Sequence, residues 1–309
     1  MCYDRAQKTG GMGMEKTGCT LCPRRCGANR TTGRGQCGMG ARLRVARAAL
    51  HTGEEPCLCG ERGAGAVFFS GCALHCVFCQ NAEISQRGFG KEIGTAQLAE
   101  IFLRLQDEGA QTLDLVSPTH FAPQIARALE RAKPRLRIPV VYNSNGYDSP
   151  EVLGMMDGLV EIYLPDLKYK DAALSKAYSG AADYFDVAQA AIQEMYRQTG
   201  PLQWGANGVL QRGLMVRHLL LPGCRKDSMA VLEALSRLAP PRHILLSLMS
   251  QYTPCYRAAA YKEIDRRVTD FEIDSVRDYA VRLGFEGYGQ ARSAADSRYT
   301  PAFDLTGVW

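Results

Sequence analysis

No stretch of this sequence approaches the ~18 consecutive apolar residues of a membrane-spanning helix. The opening segment, MCYDRAQKTGGMGMEK, holds no apolar core of the kind a secretory signal carries. A cytoplasmic protein with no membrane segment is the expectation. Compositional bias is lacking too: hydrophobic residues make up 46% and charged residues 22% of the 309 residues. Those shares are ordinary for soluble chains and exclude disordered, collagen-like and coiled-coil classes. The length suits one large α/β domain or two smaller ones.

Cysteine is what the chain has in quantity, 12 in all. Reducing conditions keep cytoplasmic thiols free and a core of this size needs no covalent staples, so metal binding is the default use. The net charge of +5 is unevenly spread: residues 1–50 hold ten Lys or Arg against only Asp4 and Glu15. A solvated basic surface is the ordinary reading, and a nucleic-acid or acidic partner is the alternative.

Residues 1–16 mix Gly, Met and charges without periodicity and read as a mobile extension, with Met12 or Met14 as alternative starts. Residues 17–62 are rich in Gly, Arg and Cys, with one short helical candidate at 41–50, and read as a small Cys-rich module. From residue 63 to 290 strand and helix signals alternate, and 291–309 forms a tail. Strands are expected at 66–69, 112–116, 140–143, 160–164, 214–221 and 244–248. Leu98, Ile101, Phe102 and Leu105 repeat at i, i+3, i+4 and i+7, as one helical face requires. Further helices are expected at 122–132, 151–157, 172–197, 229–238 and 273–283. Parallel neighbours need a crossover, which a helix supplies. Six strand–helix units predict an α/β fold, an open partial (β/α)6 barrel with a Cys-rich amino-terminal extension. A doubly wound sheet is the alternative, because sequence does not give strand order.

The central motif follows the first of these strands: Gly71-Cys72-Ala73-Leu74-His75-Cys76-Val77-Phe78-Cys79-Gln80-Asn81. Twelve cysteines scattered at random would give this Cys-x3-Cys-x2-Cys spacing on the order of 0.02 times per chain. Zinc sites combine ligand pairs to reach four-coordinate closure, whereas three thiolates on one loop suit three corners of a cubane and leave its fourth iron open. Clusters that only pass electrons have every iron held by protein, so an open iron marks a reaction site.

Polar groups also fall after successive predicted strands, where barrel enzymes carry their active sites. These are Ser117-Pro118-Thr119-His120, Asn143-Ser144-Asn145-Gly146, Asp166-Leu167-Lys168 and Ser250-Gln251-Tyr252. Arg217 and His218 are adjacent on an apolar strand, so one should face the barrel interior and the other the helices. Singly, each has a plainer reading as turn chemistry, a surface ion pair or a core histidine.

The Cys72–Cys76–Cys79 motif, with the aromatic Phe78 before its last cysteine, resembles the radical S-adenosylmethionine (SAM) superfamily. The rim motifs are similar to the activating enzymes of glycyl radical enzymes, such as pyruvate formate-lyase activating enzyme, over most of residues 19–289. The resemblance implies an oxidoreductase with a [4Fe–4S] cluster on Cys72, Cys76 and Cys79. That cluster reductively cleaves bound SAM to methionine and a 5′-deoxyadenosyl radical, which takes a hydrogen atom, in that family from a glycine of a partner protein. It implies a reductant such as flavodoxin or ferredoxin. Thr119 or His120 stands where the family's Gly-Gly-Glu holds the methionine amino group. Asn143 and Asn145 stand in a segment similar to Asp-Thr-Asn-Gly; the missing aspartate removes a ligand of the family's accessory cation. Asp166 and Lys168 match the Asp-Leu-Lys beside methionine and ribose, and Arg217, with His218 after it, matches a strand arginine. Gln251 replaces an expected histidine. Together these nine residues are the cofactor-binding candidates.

Cys19-x2-Cys22-x3-Cys26-x10-Cys37 supplies four further ligands in a stretch with few apolar residues. Structural zinc, a second iron–sulfur cluster and unligated thiols all remain open. Cys57 and Cys59 precede the first predicted strand and could join either site. Cys224 and Cys255 read as buried inert thiols. Two rival functions stand beside the radical enzyme that activates a partner: modification of RNA or another protein, and a non-catalytic metal-binding or electron-transfer module.

Overall fold

The computed structural model describes residues 18–289 and 301–309; the extension expected at 1–16 lies outside them. The described strands are β1 (Leu43–His51), β2 (Ala64–Phe69), β3 (Lys91–Ile93), β4 (Leu113–Val116), β5 (Val140–Ser144), β6 (Ile162–Pro165), β7 (Gln203–Trp204), β8 (Leu210–Leu219), β9 (Ile244–Met249) and β10 (Glu286–Gly289). The helices are α1 (Pro56–Cys59), α2 (Ala82–Ser85), α3 (Thr95–Asp107), α4 (Ala122–Ala132), α5 (Pro150–Gly154), α6 (Ala172–Ser179), α7 (Tyr184–Thr199), α8 (Arg225–Leu238) and α9 (Asp270–Arg282). The sheet runs β10-β9-β8-β6-β5-β4-β2-β1-β3, with β7 paired to β8 alone. From β2 to β10 every pairing is parallel. The sheet does not close, so the expected partial barrel is what forms, extended by β10 at one edge and by β1 and β3 at the other.

Each expected strand from 66 to 248 is present because its side chains are buried on both faces, as parallel strands under helices require. β2, AGAVFF, is buried at all six positions. Val67 and Phe69 pack outward with the core that includes Leu98, Ile101 and Phe102 of α3, whereas Ala66 and Phe68 face the concave side with Val116 and Ile84. Near the strands' amino ends α1 plugs the concavity, seating Cys57 and Leu58 against Val141, Ile162, Met215 and Leu245. That apolar seat pushes the Cys57 thiol up to about 11 by burial. Cys59 is likewise pushed up to about 11 and turns to the His51 carbonyl at 3.5 Å.

The helix expected at 41–50 is a correction: these residues form β1, antiparallel to β2 and β3. A register shift between Val45 and Arg47 breaks the period of two, so the buried positions read in sequence like one helical face. Its other partner is the chain end, where Ala48 N donates to Thr306 O at 2.9 Å and Leu305 N to Ala46 O at 3.0 Å. No helix among the described residues is long and apolar enough to cross a membrane.

α9 begins with a capping box: Thr269 accepts from Glu272 N at 3.3 Å, and Glu272 accepts from Thr269 N at 2.8 Å. Thr269→Ala is expected to lower the unfolding free energy by about 1 kcal/mol, as a lower urea midpoint at unchanged m-value.

Candidate active site

The thiols of Cys72, Cys76 and Cys79 line one cavity of about 250 Å³ at the carboxyl ends of the parallel strands. Gly71, at φ +89°, makes the turn out of β2; a β-carbon there would lie 2.4 Å from Met39 Cγ and 2.7 Å from the Cys37 carbonyl oxygen. The loop is tied on both sides, with Cys72 N donating to Cys37 O at 3.2 Å and Val77 N to Tyr178 O at 2.9 Å. Each sulfur has a side-chain hydrogen-bond partner: Asn145 Nδ2 donates to Cys72 Sγ at 3.2 Å, Ser179 Oγ lies 3.0 Å from Cys76 Sγ, and Ser85 Oγ lies 3.2 Å from Cys79 Sγ.

Burial pushes the Cys72 thiol up to about 12, with the charges of Cys76 and Cys79 adding to the rise. Burial pushes Cys79 up to about 11, again with Cys76 adding. Three thiolates in this pocket thus need cationic compensation, which iron would supply, and the donor set fits three corners of a [4Fe–4S] cluster. Among the described residues no group of three or more His, Cys, Asp or Glu is gathered as ligands of a metal ion would be. That holds for this trio, whose sulfurs would each take a different iron, and for the amino-terminal cysteines alike.

Facing the trio are Asn143, Asn145, Asp166, Lys168, Arg217 and Gln251, so six of the nine cofactor candidates line the cavity. Their loops are latched together. Tyr184 Oη donates toward Asp166 O at 2.9 Å and Asn145 O at 3.0 Å, and it accepts from Lys168 N at 3.1 Å. Gly146, at φ +76°, lets the chain pass where a β-carbon would sit 2.1 Å from Asp166 O. Lys168 Nζ meets Asp166 Oδ2 at 2.5 Å. Burial pulls the ammonium down, but Asp166 and then Cys76 outweigh it, and the lysine stays firmly protonated.

On the cavity floor Arg217 is held by Glu55, with Nε to Oε1 at 2.8 Å and Nη2 to Oε2 at 2.5 Å, and by Glu54 through Nη2. Burial raises Glu55, but Arg217 overcomes this and keeps its carboxyl below the usual range. Asp114, fully buried beside the two glutamates, is pushed well up by desolvation and then by Glu54; its Oδ2 accepts from Asn143 Nδ2 at 3.1 Å. Gln251 Oε1 is buried without a partner.

The other three candidates lie off the cavity. Thr119 Oγ1 donates to buried Asp148 at 2.6 Å, beside Ser144 and Tyr142 on the same carboxylate. His120 Nε2 meets Ser70 O at 2.7 Å, its ring against Phe121. His218 points to the helix side, with Nδ1 at 2.6 Å from Leu167 O. Burial lowers His218 from 6.5 to about 4 and His120 likewise to about 4. A depressed histidine pKa means the unfolded chain binds more protons between those values, so stability falls as pH drops from 6.5 toward 4, on the order of 3 kcal/mol per histidine. Urea unfolding of His218→Gln across that window should show a shallower slope than the parent.

His51, Glu54 and Ser117 line the cavity without having stood out as site residues. Ser117 ends β4 at φ +60°, a left-handed conformation costly for a side chain that is not glycine. Nothing in its sequence marks that strain. Glu54 and Glu55 lie in a segment whose sequence shows only a connection between Cys-rich text and the first predicted strand. Cys255 turns to Phe78 O at 3.1 Å and Cys224 caps α8; both are half-buried.

Of the described arginines in the basic amino-terminal stretch, Arg25, Arg34 and Arg42 are exposed and the other four are held within the fold. Arg24 reaches Ala73, Ser179 and Gly180 carbonyls, and Arg30 those of Gly40 and His120. Arg44 pairs with Glu92 and Arg47 with Asp304.

Residues 66–178 match the model of the radical SAM superfamily. Over 282 residues the chain is 29% identical to an uncharacterized protein of Methanocaldococcus jannaschii, covering 87% of this chain and 75% of that protein. Its fold is similar to SuiB of Streptococcus suis, crystallised with the precursor peptide SuiA, at a TM-score of 0.50 and 15% identity. That similarity covers 72% of this chain and 48% of SuiB, so the chain spans about half of that protein. The three thiols, Asn143, Asn145, Asp166 and Lys168 all fall within the residues that match this model.

Proposed function

We propose that this protein cleaves SAM reductively on a [4Fe–4S] cluster held by Cys72, Cys76 and Cys79, and directs the resulting radical to a hydrogen atom of a partner protein, a glycine of a glycyl radical enzyme. The observation that carries the first part is the single cavity in which all three thiols face Asn145, Asp166, Lys168, Arg217 and Gln251. When bound, the reduced cluster supplies an open iron for the methionine amino and carboxylate groups and the electron that splits the sulfonium carbon–sulfur bond. The chain's own residues bind and orient. Asn145 donates to the Cys72 sulfur, and Lys168 sets a permanent cation beside Cys76, both of which favour the charged, metal-bound form of the thiolates. Asp166 and Lys168, fixed through Tyr184, offer a hydrogen-bond acceptor and donor for the ribose and methionine. Val116, Phe68 and Tyr252 give the cavity apolar wall that keeps water from a reactive species. A flavodoxin or ferredoxin would supply the electron.

The choice of a glycine on a partner protein rests on the likeness of Asn143-Ser144-Asn145-Gly146, Asp166-Leu167-Lys168 and Arg217 to activating enzymes. The internal commitment of Arg24, Arg30, Arg44 and Arg47 gives no support to an RNA substrate. Incubating the reconstituted enzyme and SAM with native extract from cells grown on α-deuterated glycine tests the choice. Deuterium in the 5′-deoxyadenosine is expected, together with a glycyl signal in the electron paramagnetic resonance (EPR) spectrum that is a doublet with unlabelled extract and collapses to a single line with the α-deuterated one. Nucleoside formed without deuterium would refute the glycyl substrate while leaving SAM cleavage intact.

A further inference from the structure

Residues 18–42 contain no helix and no strand, yet their chain path is closely specified. Cys19 N donates to Ala28 O at 3.0 Å and Gly27 N returns to Cys19 O at 3.1 Å, closing a loop around Cys22 and Cys26. A β-carbon on Gly35 would lie 3.3 Å from Cys26 Sγ and 3.5 Å from Cys37 Sγ, so those two sulfurs flank one glycine. Cys22 and Cys37 are buried, and Cys19 and Cys26 are half-buried.

The backbone turns back tightly beside these cysteines: Arg25 N donates to Cys22 O at 2.9 Å and Gly38 N to Gly35 O at 2.9 Å. Left-handed residues accompany the turns, with φ 39° at Arg25, 66° at Gly27 and 79° at Gly38. Few apolar side chains are present to order the segment otherwise; Met39 is buried and Leu21 half-buried.

We infer that Cys19, Cys22, Cys26 and Cys37 are the thiolate ligands of a second metal centre, fully ligated by protein, which braces the loop bearing Cys72, Cys76 and Cys79. The four sulfurs are not gathered about a single ion, so of the centres that four thiolates can hold the structure favours an iron–sulfur cluster, in which each sulfur takes a different iron, and with all four supplied by the chain no coordination position is left for substrate. The bracing contacts run directly from the ligand segment. The Cys37 carbonyl accepts from Cys72 N at 3.2 Å, the Gln36 carbonyl meets His75 Nε2 at 3.0 Å, and Arg24, two residues from Cys22, donates to Ala73 O at 3.0 Å and Gly180 O at 2.6 Å. Met39 fills the space beside Gly71. The bracing role rests on the reading of Cys72, Cys76 and Cys79 as cluster ligands; the metal centre itself does not.

Metal and sulfide analysis of the full-length C72A/C76A/C79A protein, purified anaerobically, tests the centre apart from the radical chemistry. Retained iron with sulfide is expected, with X-ray absorption showing an all-sulfur shell; C19A/C22A/C26A/C37A should lack it, and zinc without iron would overturn the cluster. A C72A/C76A/C79A protein that folds without metal, or whose metal has nitrogen or oxygen neighbours in place of a thiolate, overturns the centre whether or not the fourfold variant folds. Bracing is read by hydrogen exchange at the backbone amide of position 72 in C72A/C76A/C79A before and after chelation. Exchange faster by about tenfold or more is expected, and unchanged exchange overturns the bracing alone.

Discussion

Cys72→Ala, Cys76→Ala and Cys79→Ala, made one at a time, should each abolish formation of 5′-deoxyadenosine from SAM. The loss should exceed the roughly 10–100-fold that follows when an outer partner of a metal ligand is removed. The reason lies in the thiols' shared environment. Burial and their mutual charge push Cys72 up to about 12 and Cys79 up to about 11, so two remaining thiols offer too little donor charge to hold the iron. Asn145→Ala removes the hydrogen bond to Cys72 Sγ and the one that its Oδ1 accepts from Tyr147 N, and it should fall within the smaller range. Iron and sulfide content measured beside nucleoside yield separates the two cases: the cysteine variants lose the cluster, whereas Asn145→Ala keeps it and turns over slowly.

The second large effect concerns stability. Arg217→Met should lower the unfolding free energy at neutral pH by about 3–5 kcal/mol, the usual result of removing one partner from a buried ion pair. Arg217, Glu54 and Glu55 expose only 15%, 8% and 5% of their side chains, so solvent compensates little of the charge left behind. The pH dependence follows from sign. Arg217 holds Glu55 below its ordinary 4.5, so the pair stabilises the fold above that value and the stabilisation is lost as pH falls through the lower, folded-state pKa. The deficit of Arg217→Met should therefore be largest above pH 4.5 and narrow below it. Adding Glu54→Gln and Glu55→Gln should restore much of the stability, because neutral amides leave no uncompensated charge. Urea midpoints for the parent, the single and the triple variant at neutral and acid pH check all three statements.

The parts of this molecule that sequence made readable are those where one local pattern decides the outcome. Cys72, Cys76 and Cys79 sit on a single loop, so spacing alone carries the donor set. The helical repeat of Leu98, Ile101, Phe102 and Leu105 is buried as that pattern requires. Where the outcome depends on what meets across the fold, the text is silent. β1 looks helical because its bulge puts Leu43 and Ala46 on buried positions three apart, and only β2, β3 and the chain end decide otherwise. Glu54 and Glu55 become the cavity floor because they meet an arginine more than 160 residues away. Thr119 and His120 sit where a loop should reach the cofactor, yet the 3-10 turn Thr119–Phe121 faces them to Asp148 and Ser70. Strained Ser117 lines the cavity in their place.

The most direct test of the central claim is addition of SAM to the anaerobically reconstituted, dithionite-reduced protein, followed by EPR and by product analysis. A cluster bound at three corners should change its spectrum when SAM occupies the open iron, and methionine and 5′-deoxyadenosine should appear in equal amounts. A reduced cluster whose spectrum ignores SAM, and which yields neither product, would contradict the account.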